Sequence, residues 1–377
     1  MVSEKKITVL QLCEHFGGKA ASLHGVARGF QWWLPEFDEN RFRVILCSRK
    51  ARDKAAEQME AVGLEPCYLG YGKFDPRNFF KLVRLIKDEK VDIIHAHGYG
   101  ACTWGRLAGI FLKKPVIVHE RCNTLTVPFF QRSVEWFLGK FTRYGFAVSE
   151  SSRQFCINKR YMRPETVRVL YNGILKKDVP EADGSFINAL KSSYGRNDQD
   201  KIIGIVGRLE SHKGHIDAFK ALKKVLEKIP DVCVWVVGDG TYADTLSEWI
   251  KTNNLSEKVD FLGFRSDARK VIRCFDVQLF PSHMEGTPNT LFEAMAVGNA
   301  IVASTADGQG EILEDEKTAL MFVPGDIDKM TDQLLRVLNN EDLRLKLKEA
   351  SVNLSKKFDG RKTIETMQGF YVEILKG

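Results

Sequence analysis

Long apolar runs are missing from this chain of 377 residues, and none approaches the roughly 20 residues needed to span a bilayer. The N-terminus MVSEKKITVLQLCEHFGG has two lysines, but its apolar stretch covers only 7–12, which reads as a first strand and not a signal peptide. The eight cysteines (Cys13, Cys47, Cys67, Cys102, Cys122, Cys156, Cys233, Cys274) include no C-x-x-C pair, so a zinc site is not expected. Several lie in apolar strand-like runs and read as buried free thiols in a reducing cytosol. No G-x-G-x-x-G follows a strand-like run, and the phosphate loop G-x4-G-K-[ST] fails where it comes nearest, because His212 precedes Lys213 and Gly214 follows it. No repeat of 20–50 residues is present, and no aromatic motif of the RNA-binding kind, so nucleic acid is not an expected partner.

What remains is an ordinary globular composition, 44% hydrophobic and 28% charged, long enough for two domains with full cores. The net charge of +7 is unevenly placed: residues 1–178 hold 30 Lys and Arg against 18 Asp and Glu, about +12, and the rest 26 against 31, about −5. That asymmetry points to an anionic partner near the first half, such as a membrane surface, a phosphorylated lipid or nucleic acid; the alternative is a basic surface serving solubility.

Short apolar runs alternate with helical patterns throughout. Strands are predicted at 7–12, 42–47, 93–96, 116–118 and 145–148, with helices over 19–34, 51–62, 76–89, 101–112, 129–140 and 150–160. After Tyr171-Asn172-Gly173 the segment 176–200 turns polar, with one short helical pattern at 186–194, and reads as a linker. Strands then resume at 201–206, 232–237, 259–262, 277–280, 300–303 and 320–323. The expected architecture is α/β, with two doubly wound Rossmann-like domains, 1–178 and 179–360, facing each other across a cleft. A final helix over 361–377 has no strand after it and is expected to return to the first domain.

Three stretches carry chemistry. In SHMEGTPNTLFEAMAVGNA, Glu285 closes a strand-like run, Gly286, Thr287, Pro288 and Asn289 form a turn, and a helix is expected from about 291, with Thr290 at its start and Glu293 projecting from it. A turn at a helix start favours an anion such as a diphosphate. An isolated E-x7-E would more often be two solvated glutamates on a capped helix; the glycine-bearing turn and the apolar strand before it favour a site. In GIVGRLESHKGHIDAFKAL, Arg208 and Lys213 follow a strand and suit a diphosphate, one as a fork of donors and the other as a point charge. Near the N-terminus, Gly17 and Gly18 let backbone approach a phosphate or sugar, or merely turn the chain, and Gly238 in VVGDG offers the same choice.

The order of these runs, together with VDIIHAHG, AVSESSR, VLYNGI, VDFLGF and DGQGEIL, resembles family 4 of the retaining, nucleotide-sugar-dependent glycosyltransferases with the glycosyltransferase-B fold. The resemblance spans nearly the whole chain and is strongest over 201–326. It implies that Arg208 and Lys213 neutralise the donor diphosphate and that Glu293 holds the ribose hydroxyls. It places Glu285 near the transferred sugar and the backbone of Gly286–Asn289 against the distal phosphate and sugar. It also implies metal-independent catalysis, which agrees with cationic side chains stabilising the leaving charge. The chain departs from the pattern at HERCN, where Arg121 stands at the usual histidine position; Glu120 and Arg121 are expected on the acceptor side, with His119 as a competing candidate and His97 as a positioning residue. DGQGEIL departs too, with Asp307-Gly308 in place of paired glycines.

The implied activity is transfer of a sugar from a UDP- or GDP-sugar to a glycan or lipid-linked acceptor in lipopolysaccharide, capsule or exopolysaccharide assembly, with no cofactor. The alternatives are a hydrolysing nucleotide-sugar epimerase on the same fold and a non-catalytic sugar-nucleotide module. The aromatic, basic stretches 74–90 and 128–146 either bury their rings against a sheet or lie on the cytoplasmic face of an anionic membrane.

Overall fold

The computed structural model describes residues 5–17, 23–121, 128–181 and 184–376. Two compact units divide the chain, one of Met1–Tyr171 with Gly360–Gly377 and one of Asn172–Asp359. The predicted turn residue Gly18, the first residues of the helix predicted over 19–34, and Cys122 lie outside the described residues.

The first unit is built on β1 (Ile7–Cys13), β2 (Phe42–Ser48), β3 (Cys67–Tyr68), β4 (Ile93–His97), β5 (Val116–Glu120), β6 (Tyr144–Ala147) and β7 (Val167–Val169). Their order is β3-β2-β1-β4-β5-β6-β7, and every pairing is parallel. All positions of β4 and β5 are buried, as parallel strands covered on both faces require. The chain winds outward from β1 to β3, then returns to lay β4 against the other edge of β1. The carboxyl ends of β1 and β4 therefore part at a switch point, where such sheets leave room for a ligand. Register sets His97 opposite Cys13 on one side and His119 on the other. The last helix, Gly360–Lys376, belongs to this unit: Met367, Phe370 and Tyr371 are buried, and Phe370 packs on Phe146 with ring centroids 4.8 Å apart.

The second unit has β8 (Lys201–Val206), β9 (Val232–Val237), β10 (Val259–Gly263), β11 (Val277–Phe280), β12 (Ala300–Ser304) and β13 (Leu320–Phe322) in the order β10-β9-β8-β11-β12-β13, again parallel. Alternate residues face opposite layers: Ile203 and Val234 pack with Phe219 and Leu334, whereas Ile202 and Trp235 pack with Ile272 and Phe275. Its switch point lies between β8 and β11.

Three local expectations change. β3 and β7 were not foreseen, because two or three residues are too few to show alternation. The helix expected over 51–62 is only Ala56–Glu60, and the helix after Glu285 starts at Asn289, two residues earlier than its apolar pattern suggests. No helix among the described residues is long and apolar enough to cross a membrane. The Phe129–Gly139 helix buries only Glu135, Leu138 and Gly139, and leaves Phe129 83% exposed with Phe130, Trp136 and Phe137 more than half exposed. Burial against the sheet, the ordinary fate of such aromatics, does not hold for this helix.

Candidate functional site

In the second unit, the segments leaving β8 and β11 carry most of the expected donor residues. After Val206 the chain passes Arg208, makes a short turn over Ser211–Lys213, and enters the helix His215–Leu226. Gly214 links turn and helix at φ +71°, and a Cβ there would collide with the Pro281 carbonyl, so glycine turns the chain and lets it pass close to the end of β11. That approach brings the Lys213 ammonium into an ion pair with the Glu285 carboxylate, both side chains largely buried. Arg208 is not drawn in: its side chain is 57% exposed and stands 3.9 Å from Glu210.

The turn after Glu285 is tied from two directions. Its backbone N–H donates to the Asp307 carboxylate at 3.0 Å, and Asn172 Nδ2 donates to Asn289 Oδ1 at 2.9 Å across Gly286–Asn289. Asp307 adopts φ +39°, uncommon for a residue with a side chain, and burial pushes its carboxyl up. The departure from paired glycines at Asp307-Gly308 thus has a local purpose: an aspartate holds the glutamate's turn. Thr287 is buried, while Pro288 and Thr290 are half-buried at the start of the Asn289–Val297 helix.

Glu293 sits in the second turn of that helix and is 1% exposed. Its Oε1 accepts a hydrogen bond from Arg269 Nε at 3.0 Å, and its buried Oε2 has no partner among the described residues. Leaving such an oxygen dry and unpaired is costly, so it is suited to a ligand hydroxyl. Arg269 was invisible to sequence reasoning because it stands on another helix, Ala268–Ile272, with no local spacing to Glu293. His215 was missed as well: it is buried with neither ring nitrogen partnered among the described residues, and burial pushes its pKa down to about 4. Gly238 has φ +142° and meets the Gly207 carbonyl where a Cβ would stand, so its lack of a side chain serves backbone packing between the ends of β8 and β9.

In the first unit, a cavity of about 350 Å³ opens at the β1/β4 switch point, with Glu14, His97, Glu120, Arg121 and Arg160 among its lining residues. Glu120 is paired with Arg160 at 2.5 Å, and Glu135 bridges Arg160 at 3.1 Å and Arg106 at 2.7 Å, all four buried. Two guanidinium groups and two carboxylates so close one network, which compensates charges that could not be buried singly. The Arg121 guanidinium lies 4.5 Å above the Trp33 ring, and burial pushes its pKa down to about 9. Of the three acceptor-side candidates, Glu120 and Arg121 line the cavity, whereas His119 is buried in a row with His95 and His97. Gly17 gives its N–H to Asp53 at 3.2 Å.

The three histidines lie close enough to hold a metal, their nearest ligand atoms all within 4.8 Å. Their arrangement suits hydrogen bonding better. His95 lies near-parallel to both neighbours, at interplanar angles of 23° and 10°, and its Nε2 points at His119 Nδ1 and not at a shared central point. Both nitrogens of His95 are already engaged, by Tyr371 at 2.6 Å and His119 at 3.0 Å. Burial above all holds the three rings well below the ordinary histidine pKa, and so neutral, with the Arg121 charge next for His95 and His119 and the neighbouring His95 next for His97.

Comparison with known proteins adds kinship to this geometry. Residues 24–175 match the model of Glycosyltransferase Family 4, and residues 186–353 match that of glycosyl transferases group 1. The chain is 26% identical over 312 residues to an Escherichia coli UDP-Gal:alpha-D-GlcNAc-diphosphoundecaprenol alpha-1,3-galactosyltransferase, covering 80% of each chain. It is 27% identical over 278 residues to a 2-deoxystreptamine N-acetyl-D-glucosaminyltransferase of Niallia circulans, covering 68% of this chain and 69% of that one. Its fold matches the crystal structure of Anabaena HepE in complex with UDP and glucose, with a TM-score of 0.83 at 21% identity over 97% of this chain and 100% of the other.

Proposed function

We propose, on the premise that the chain is a glycosyltransferase of the glycosyltransferase-B fold related to the group 1 and family 4 enzymes, that it moves a sugar with retention from a nucleotide sugar to a lipid-linked or glycan acceptor in envelope polysaccharide assembly. The observation that carries this reading is the buried Lys213–Glu285 pair at the switch point of the second unit, with an unfilled Glu293 oxygen in the same unit. Lys213, joined by the exposed side chain of Arg208, stabilises the charge developing on the leaving diphosphate. Glu293 Oε2 accepts from a ribose hydroxyl, Glu285 faces the departing sugar, and the backbone of Gly286–Asn289 holds the distal phosphate and sugar. The acceptor attacks on the face the nucleotide leaves, and the diphosphate oxygen takes its proton, so cationic side chains do the work a metal would otherwise do.

The acceptor reading rests on the first unit, whose cavity presents Arg121 beside the Glu120–Arg160 pair. The galactosyltransferase relative acts on a sugar diphosphoundecaprenol, and such an acceptor would be met at a membrane. In the same unit the exposed Phe129, Phe130, Trp136, Phe137 and Phe141 are interspersed with Arg132, Lys140 and Arg143, the pattern of a segment lying on an anionic lipid surface on the cytoplasmic side.

Thermal shift against UDP, GDP and their sugars, followed by transfer assays, tests the donor half. Lys213→Ala and Glu285→Ala are each expected to lower kcat by about a hundredfold or more with the fold retained. Full activity in either variant sinks the assignment. Release of nucleotide with an epimerised sugar and no acceptor would mark a hydrolysing epimerase instead.

A further inference from the structure

Five buried side chains of the first unit form one unbranched chain of hydrogen bonds. His97 Nε2 meets Gln11 Oε1 at 2.9 Å, Gln11 Nε2 meets the Tyr371 hydroxyl at 2.9 Å, and that hydroxyl meets His95 Nδ1 at 2.6 Å. His95 Nε2 then meets His119 Nδ1 at 3.0 Å. Each link has one proton to share, and the orientation of the Gln11 amide settles which partner supplies it. Gln11 Oε1 only accepts, so His97 carries its proton on Nε2. Gln11 Nε2 only donates, so the Tyr371 oxygen accepts from it, and the buried Tyr371 hydroxyl, whose other neighbour in the chain is His95, donates its own hydrogen bond to His95 Nδ1. A neutral His95 then holds its proton on Nε2 and donates it to His119 Nδ1, which leaves the His119 proton on Nε2. The ends of the chain are thereby opposite in kind. His119 Nε2 is a buried donor and His97 Nδ1 a buried acceptor, and neither has a partner among the described residues.

Of the two end residues only His97 is among the residues lining the cavity; its ring is 2% exposed and set edge-on to Phe30 with centroids 4.9 Å apart. We propose that the Gln11–Tyr371–His95–His119 chain locks His97 in the Nε2–H tautomer, so that its Nδ1 lone pair receives a hydroxyl proton donor of the acceptor sugar in this cavity. His97 is then a binding residue that distinguishes a hydroxyl donor from a group with only lone pairs, and Gln11 and Tyr371 are positioning residues acting through it. A ligand lacking the hydroxyl would leave the lone pair unpaired, which is the strongest basis for rejection that a neutral site has. The ligand half of the proposal rests on the reading of this cavity as the acceptor site; the tautomer half does not.

Nitrogen-15 NMR of the histidine-labelled full chain separates the two. In the ligand-free wild type, His95, His97 and His119 are expected as neutral Nε2–H tautomers, and Tyr371→Phe is expected to let the Nδ1–H form of His95 or His97 appear. An Nδ1–H or imidazolium His97 in the wild type overturns the proposal without touching the donor site. The second measurement adds N-acetylglucosaminyl diphosphate esterified with a short alkyl chain. Binding should move the His97 Nδ1 resonance upfield. His97→Gln, which keeps a group for Gln11 but removes the Nδ1 acceptor, should raise the KM for that probe about tenfold with donor KM unchanged. His97→Asn, which restores an acceptor near the Nδ1 position, should recover part of the loss. If the probe is glycosylated while His97 stays unperturbed, the proposal fails and the proposed function stands. If the probe neither binds nor reacts with any donor sugar, the acceptor reading of the cavity falls, and the ligand half of the proposal with it.

Discussion

Glu135 illustrates what single side chains decide in this protein. It is one of two carboxylates matched to two buried guanidinium groups, those of Arg106 and Arg160. Removing it leaves excess positive charge where water cannot reach. Glu135→Ala is expected to cost about 3–5 kcal/mol in urea unfolding, far more than an exposed ion pair such as Arg84–Asp88 would. Local spacing gave no hint of this residue, since its partners stand 29 and 25 residues away in the chain. Glu285, Glu293 and Lys213, in contrast, were visible as a motif, because each lies within a few residues of a turn or helix start that the sequence marks. Their partners were less visible. That Lys213 meets Glu285 depends on β8 and β11 being neighbours, and Arg269 reaches Glu293 from a separate helix.

Among the elements, the Phe129–Gly139 helix departs furthest from the ordinary α/β pattern. Its inner side is held by Glu135 and Leu138, and its outer side offers aromatics to solvent. Trp136→Ser together with Phe137→Ser should change stability little, because these rings already stand more than half exposed. The same pair should sharply reduce flotation with anionic liposomes, and raising the salt should weaken binding of the wild type. Unchanged flotation in the double variant, or no binding at low salt, removes this helix from any membrane role. The aromatic and basic content was plain in the sequence, but which way the rings face was not: helical spacing gathers them on one side without saying whether that side meets a sheet or solvent. The final helix was anticipated as an element without a strand to follow. Its work in the histidine network, through Tyr371, could not be anticipated, since Tyr371 lies 276 residues from His95.

Across the whole molecule, buried histidines link stability to pH. His95, His97 and His119 are held well below 6.5 by burial, so they remain neutral in the folded protein, whereas the unfolded chain protonates them below about pH 6.5. The unfolded state then binds more protons, and stability falls as pH drops through that value. Three such groups approach a slope of about 4 kcal/mol per pH unit, and His215, pushed down to about 4, adds to it. Denaturant midpoints between pH 5 and 8 should be level above about 7 and decline steeply below 6.5; a flat profile would contradict neutral burial of these rings. The alternation of strands and helices, apart from the short β3 and β7, the two doubly wound sheets and the candidate donor motifs could be drawn from local pattern, because periodicity, glycine-bearing turns and cations after strands act over a few residues. Which side chains share a site could not. The Lys213–Glu285 pair, the Glu120–Arg160–Glu135–Arg106 network and the chain from His119 to His97 all join residues distant in sequence, and strand order, register and burial in a low-dielectric interior brought them together.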